Sequence, residues 1–459
     1  MTIMTSRDDA VVGLIWIMPA EDDPEAQEIS AGWHLGCGYL AAWLETLGIT
    51  AAQIRFEPSQ MEQIAAEIAA LDLKILGFSV KDTNFYAVRR MVTHLKALRP
   101  DILVVFGGLT PTFLSDLLLK ETPGADLCVR HYGEQSFGRA CELFLAGEDW
   151  RAAPGISYLD DGVLVETPMR DVVESARRDL DHLPSPYLTG HIPPKLAPMV
   201  GLSTSRGCIF KCVFCNPTAM AGYQIAYHSD DRVCGELAAI DRALAEDPPD
   251  EGRILLFLNE DIFALNPERT RRLCARIQAL NIQHLEFGCE TRIEHLDRET
   301  LEAMYAAGFR FLKFGLESAN PRVLNVTKKV RDKDGAGDDY IIERQFLQKI
   351  RAVVAMGREI GFRMACGTIF GLPGEKLPDA IETLDFVAKL GVDEYYHNYL
   401  QLFSGTEAFN QHKAFGMEVG FNEGYYPSIY RTRWAYPVAL VPRLEHLTNR
   451  SFKRNVVQL

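Results

Sequence analysis

Short apolar runs alternate with helical patterns along most of the chain, and this alternation restricts the fold more than any single motif does. Val11 to Met18 reads as a strand, Leu35 to Leu47 as a helix with apolar residues at 3-4 spacing, and Leu73 to Val80 as a buried strand. Tyr86 to Leu98 is then helical, and Asp101 to Phe106 is a strand closing on Gly107-Gly108. Such units build a doubly wound parallel sheet, which takes its ligands at the carboxyl ends of its strands. A short polar strand pair is expected within Gly155 to Glu166, and Asp179 to Tyr187 has the polar, proline-bearing composition of an interdomain linker. A second series begins near Val200, with candidate strands Val200 to Ser203, Ile254 to Leu258, Leu285 to Cys289, Phe311 to Gly315, Arg363 to Phe370 and Tyr395 to Phe403. Strands of that number and spacing predict a partial (β/α)6 barrel of the TIM type, open on one side. The expected partition is a Rossmann-like α/β domain over 1–165, a linker over 166–198, the partial barrel over 199–404 and a short C-terminal cap over 405–459.

A length of 459 residues is enough for two or three domains with sizeable cores. Lys plus Arg number 48 against 62 Asp plus Glu, a net charge of −14, which argues against nucleic acid and favours a small-molecule or peptide substrate. No apolar run approaches the length of a membrane span. Met1 to Ala10 carries adjacent aspartates where a signal peptide needs basic and then apolar residues, so a cytoplasmic protein with reduced thiols and no membrane partner is expected. Seven cysteines (Cys37, Cys128, Cys141, Cys234, Cys274, Cys289 and Cys366) stand alone and read as small buried apolar residues.

The other three cysteines lie together in Ser205-Arg206-Gly207-Cys208-Ile209-Phe210-Lys211-Cys212-Val213-Phe214-Cys215, where a strand end is expected. A Cys-x3-Cys-x2-Cys loop can wrap a 4Fe-4S cubane, ligating three irons and leaving the fourth with an open position. Structural zinc would want a fourth ligand, for which His228 is the nearest candidate; Phe210 and Phe214 between the thiols fit a cluster loop better.

In spacing and setting this loop resembles the cysteine signature of the radical S-adenosylmethionine (SAM) superfamily. The likeness continues at successive strand ends. Leu256 to Phe263 stands where the family binds the SAM amino group, with Asn259, Glu260 and Asp261 in place of the usual Gly-Gly-Glu. Glu290-Thr291-Arg292 comes next, then Gly315-Leu316-Glu317-Ser318, then Gly367 to Glu375 with Ile369 and Gly371. The resemblance implies that Phe214, Asn259, Glu260, Asp261, Glu290, Arg292, Glu317, Ser318, Ile369 and Gly371 bind SAM, contacting its ammonium, carboxylate, ribose and adenine.

The N-terminal segment resembles the cobalamin-binding domain fused to this barrel in one large class of the superfamily. His34 to Leu40, Leu76 to Val80, Val104 to Thr112 and Tyr132 to Gln135 carry the likeness. It implies cobalamin contacts from Gly36, Ser79, Val80, Lys81, Asp82, Thr83, Gly107, Gly108, Leu109, Thr110, Gly133 and Glu134. No Asp-x-His-x-x-Gly is present, so no lower histidine ligand of that kind is expected.

In this fused class, reductive cleavage of SAM yields a 5′-deoxyadenosyl radical that abstracts hydrogen from an unactivated carbon, which then takes a methyl group from methylcobalamin. A flavodoxin- or ferredoxin-type electron donor is implied. The rivals are a cobalamin-assisted cyclase or rearrangement enzyme without methyl transfer, a methylthiotransferase, and a non-catalytic cobalamin-binding module. A methylthiotransferase would need a second cysteine triad that Cys37, Cys128 and Cys141 are too scattered to supply. The intact triad argues against the non-catalytic module. The tail carries Tyr425, Tyr426, Tyr430, Trp434 and Tyr436; it is expected either to close the open barrel, with Tyr430 and Trp434 facing substrate, or to pack on the underside or edge of the barrel as ordinary core.

Overall fold

The computed structural model describes residues 2–5, 9–17, 33–58, 60–169, 180–250, 252–330, 340–420 and 428–432. The chain divides into two compact units, one running from Met1 to Val200 and the other starting at Gly201.

The first unit is built on an eight-stranded sheet in the order β1-β3-β2-β4-β5-β6-β7-β8, with strands Thr2–Thr5 (β1), Val12–Ile17 (β2), Ala51–Phe56 (β3), Ile75–Ser79 (β4), Leu103–Gly107 (β5), Leu127–Val129 (β6), Ile156–Asp160 (β7) and Val163–Glu166 (β8). Strands β3, β2, β4, β5 and β6 are parallel to their neighbours, while β1, β7 and β8 extend the edges in antiparallel fashion. Its central strands are apolar on both faces because helices cover both. Ile15, Ile54, Phe78 and Phe106 pack on one side with Val88, Met91 and Leu95 of the helix Phe85–Leu98. Leu14, Ile75 and Val105 pack on the other with Leu44 of the helix Leu35–Thr46 and Phe137 of the helix Glu134–Leu145. The chain leaves β2 for β3 on one side and β4 on the other, so the topological switch point lies at the carboxyl ends of β2 and β4.

Strand β3 and the helix Met61–Ala69 were not among the sequence expectations. Gln53 breaks the apolar run of β3, yet it is fully buried, and its Nε2 donates to the carbonyl of His191 at 2.8 Å. A buried polar residue satisfied from 138 positions away leaves no local signal.

The second unit holds a five-stranded parallel sheet, β11-β12-β13-β14-β15, from Ile254–Leu258, Leu285–Glu290, Phe309–Glu317, Arg363–Phe370 and Glu394–Tyr399. Helices Asp230–Ala245, Pro267–Ala279, Arg298–Ala306, Ile341–Ile360 and Leu377–Leu390 alternate with these strands. This is the expected βα series, with one correction. Val200 to Ser203 is not a full strand: Leu202 makes only an isolated parallel bridge to Leu258, and Ala197–Val200 is a turn of helix. The chain then bends into an antiparallel pair, Ser205–Gly207 (β9) with Ile225–Tyr227 (β10), which frames the cysteine loop. Ser203 drives the bend locally, its hydroxyl donating to the carbonyl of Ser205 at 2.7 Å.

In the tail, Met417–Gly420 (β16) pairs antiparallel with Ser428–Thr432 (β17), a strand that contains Tyr430. Trp434, Tyr425, Tyr426 and Tyr436 lie outside the described residues.

Candidate active site

The cysteine loop is fixed at both ends. Gly207 closes β9 at φ 92°, and a Cβ there would lie 2.2 Å from the carbonyl oxygen of Gln224, so no other residue fits. Its amide donates to Oδ2 of Asp261 at 3.0 Å, tying the loop to the end of β11. Beyond Cys212, the Val213 amide donates to Thr327 at 3.0 Å and the Val213 carbonyl accepts from Ala408 at 2.8 Å. Val213 is fully buried with Leu372 and Leu402, and Phe214 and Ile369 pack against the same cluster. Phe214 of the cysteine loop and Ile369 of β14 thus pack against one cluster.

Burial raises all three thiols above the ordinary range, and Cys215 is raised further by Cys212, Asp261 and Cys208 around it. Lys329 and Arg292 oppose that rise at Cys212. Burial thus disfavours the free thiolates, which would ligate metal only with the metal taking up their charge. Among the described residues, no three His, Cys, Asp or Glu side chains close around one point as a mononuclear site requires. Three neighbouring thiols spread over one loop match the donor set of a multi-iron cluster.

Around the triad the strand ends present charge. Asp261 is open to solvent and Glu260 is partly buried. Glu260 accepts from Thr204 Oγ1 at 3.0 and 3.1 Å and from the hydroxyl of Ser205; burial pushes its carboxyl up to about 7. Arg269 braces the same corner, donating to the carbonyl of Thr204 at 3.1 Å with its guanidinium 4.2 Å from the Tyr227 ring centre. Asn259 is exposed at the end of β11, and Glu290 pairs with Lys313 at 3.2 Å at the end of β12.

The remaining residues expected at the SAM site have partners within the protein. Glu317 forms a 3.0 Å ion pair with Lys329 in which both side chains are nearly buried. Ser318 is fully buried against Thr383 at 3.3 Å and accepts from the Asn320 amide at 3.1 Å. The Gly371 amide donates to Glu375 at 2.7 Å. Arg292 pairs with Glu294 at 2.7 Å and lies 3.7 Å from the Phe210 ring centre, inside the cysteine loop. Lys329 and Glu294 escaped the sequence reading: neither belongs to a recognisable motif, and only the fold places them beside Cys212.

In the first unit, all the expected cobalamin residues except Gly36 lie at or just after the carboxyl ends of β4, β5 and β6. Gly108 takes φ 112°, and a Cβ there would lie 2.8 Å from the carbonyl oxygen of Val80, so glycine lets the two turns touch. Thr110 donates to the buried carboxylate of Asp82 at 2.6 Å, linking them again. A Cβ at Gly107 would meet nothing within 4 Å, which leaves space above β5. Lys81 and Thr83 are exposed; Gly36 and Glu134 occupy the first turns of their helices, with Gly133 just before Glu134.

His34 stands at the switch point. Its Nδ1 accepts from the Cys37 amide at 3.2 Å, capping the helix, and its Nε2 lies 3.4 Å from the Ser79 hydroxyl. Burial and the nearby Lys81 charge lower the imidazole to about 4, so it is neutral. An amide can only donate, so Nδ1 carries the lone pair and Nε2 the proton.

The B12 binding domain family matches residues 32–140, and the Radical SAM superfamily matches residues 202–387. The chain thus carries a B12 binding domain followed by a Radical SAM domain. An uncharacterized methyltransferase of Pyrococcus horikoshii is 24% identical over 427 residues, covering 91% of this chain and 87% of the relative. The anaerobic magnesium-protoporphyrin IX monomethyl ester cyclase of Rubrivivax gelatinosus is 25% identical over 66% of this chain and 55% of its own length. Among solved structures, the radical SAM methyltransferase TsrM of Kitasatospora setae, with cobalamin and a [4Fe-4S] cluster bound, superposes with a TM-score of 0.70 at 18% identity, covering 91% of this chain and 82% of TsrM. This likeness shows that the chain shares the fold of TsrM. Among the described residues, no helix is long and apolar enough to cross a membrane.

Proposed function

We propose that this radical SAM protein is a cobalamin-dependent methyltransferase that methylates an unactivated carbon of a small-molecule or peptide substrate, drawing electrons from a flavodoxin- or ferredoxin-type donor. The observation that carries the reading is the Cys208, Cys212 and Cys215 loop, pinned by Asp261 and Val213 beside charged strand ends in a chain whose other unit is a B12 binding domain. Similarity to a methyltransferase across nearly all of both chains supports the choice of reaction.

The three thiolates hold the cluster, Asn259 and Asp261 are the accessible polar groups for the SAM ammonium, and the apolar patch of Phe214 and Ile369 takes the adenine. When bound, the cofactors supply the electron, the adenosyl radical and the methyl group. The protein orients them and excludes water rather than supplying acid or base. At the cobalamin crevice, His34 offers cobalt no free lone pair, because Nδ1 is occupied and Nε2 is protonated.

A cyclase without methyl transfer is the second reading, favoured by the similarity to the Rubrivivax enzyme. Both readings require SAM cleavage. Anaerobic reconstitution with iron and sulfide, followed by reductant and SAM, is expected to yield 5′-deoxyadenosine from the wild type and none from Cys212→Ala. Absence of 5′-deoxyadenosine from the iron-replete wild type would leave only a non-catalytic cobalamin-binding module.

A further inference from the structure

Arg292, expected from the resemblance to bind SAM, is committed elsewhere. It is 8% exposed at the end of β12, and each of its three guanidinium nitrogens is engaged. Nε pairs with Glu294 at 2.7 Å, Nη2 donates to the carbonyl of Lys329, and Nη1 points at Sγ of Cys212 from 3.9 Å. The guanidinium lies 3.7 Å from the centre of the Phe210 ring, which is tilted against His295 at 5.5 Å. Arg292 therefore rests on an aromatic shelf belonging to the cysteine loop itself.

The charges nearest it are two ion pairs, with His295 3.9 Å from Glu294. Arg292 and Lys329 are the cations, and Glu294 and Glu317 are the anions paired with them. Removing Arg292 leaves these charges net negative beside the triad. The electron added on reducing a cluster increases its negative charge, so a nearby cation and a hydrogen bond to a ligating sulfur both favour the reduced state.

We propose that Arg292 is a positioning residue for the cluster, donating to the Cys212 thiolate and holding the reduction potential up, rather than a ligand of the SAM carboxylate. This rests on the cluster reading of the triad, and the two are separable by experiment. The full chain is reconstituted anaerobically as wild type, Arg292→Gln and Arg292→Lys, and iron and sulfide are measured first. A wild type that assembles no cluster defeats the underlying reading. With clusters assembled, each protein is titrated with dithionite in the absence of SAM and followed by electron paramagnetic resonance.

Arg292→Gln is expected to lower the ratio of reduced to oxidised cluster at fixed poise by about tenfold, equivalent to 59 mV for one electron. Arg292→Lys, which keeps the charge, is expected to stay within about threefold of wild type. An unchanged ratio in Arg292→Gln with full iron overturns the proposal, and a fall in SAM affinity alone would assign Arg292 to the SAM carboxylate instead. Should Arg292→Gln assemble no cluster, Arg292→Lys decides: a ratio near wild type supports the proposal, while a tenfold loss or missing iron contradicts it.

Discussion

Lys329→Met breaks a nearly buried ion pair beside the triad. The Lys329 and Glu317 side chains keep 7% and 11% of their exposure and meet at 3.0 Å. Glu317 also holds a left-handed backbone at φ 63°, an arrangement that costs about 1 kcal/mol or more and persists only while its surroundings enforce it. Breaking a buried pair by removing one partner leaves an uncompensated charge and costs about 3–5 kcal/mol. A paired control is available on the surface, where Lys120 and Asp116 meet at 2.8 Å with about half of each side chain exposed; such a pair contributes roughly 0.3–0.5 kcal/mol. Urea unfolding of the iron-free chain, followed by circular dichroism, should show Lys329→Met losing several times more stability than Lys120→Met. Adding Glu317→Gln removes the stranded charge, so the double variant should recover more than about 1 kcal/mol of the loss. A Lys329→Met loss no larger than the Lys120→Met loss, or strictly additive effects of Lys329→Met and Glu317→Gln, would refute the argument that burial makes this pair costly to break.

Three further outcomes follow from the geometry. Gly108→Ala forces a Cβ to 2.8 Å from the Val80 carbonyl at a φ of 112°, so it should cost the first unit roughly 2–3 kcal/mol and weaken cobalamin binding in an equilibrium titration, with Gly107→Ala as the tolerated control. The Glu260 carboxyl, raised to about 7, contributes stability that is fully present below the ordinary 4.5 and is lost as pH rises through 7. Glu260→Gln in the cofactor-free protein should therefore match wild type near pH 4.5 and exceed it by up to roughly 3 kcal/mol above pH 7.5 in urea unfolding; equal stability throughout would contradict the shift. Electron paramagnetic resonance of the cob(II)alamin-loaded protein should show no superhyperfine splitting from a protein nitrogen, since His34 has no lone pair to offer.

Much of this was legible in the residues because it rests on local rules. The βα alternation placed β2, β4, β5 and the sheet β11 to β15, since strands covered on both faces read as continuous apolar runs. The Cys208, Cys212 and Cys215 spacing identified the loop without any tertiary information. What stayed hidden depends on partners distant in sequence. Gln53 is buried in β3 only because the carbonyl of His191 accepts from its amide. The bend after Val200 is the exception, since the Ser203 hydroxyl stabilises it from two residues away. Glu317, Ser318 and Arg292 were found at the right strand ends, but sequence could not show that Lys329, Thr383 and Cys212 engage them. Asn259 and Asp261, by contrast, are exposed at the end of β11.

The measurement that bears most directly on the central claim follows a methyl group. The reconstituted protein is given cobalamin, a low-potential reductant and SAM carrying a 13C-methyl group, and the cobalamin is recovered and analysed by mass spectrometry. A cobalamin-dependent methyltransferase transfers the label, so methylcobalamin enriched in 13C should accumulate, and Gly108→Ala should diminish it. Formation of 5′-deoxyadenosine with no labelled methylcobalamin would contradict methyl transfer and leave the cyclase reading in its place.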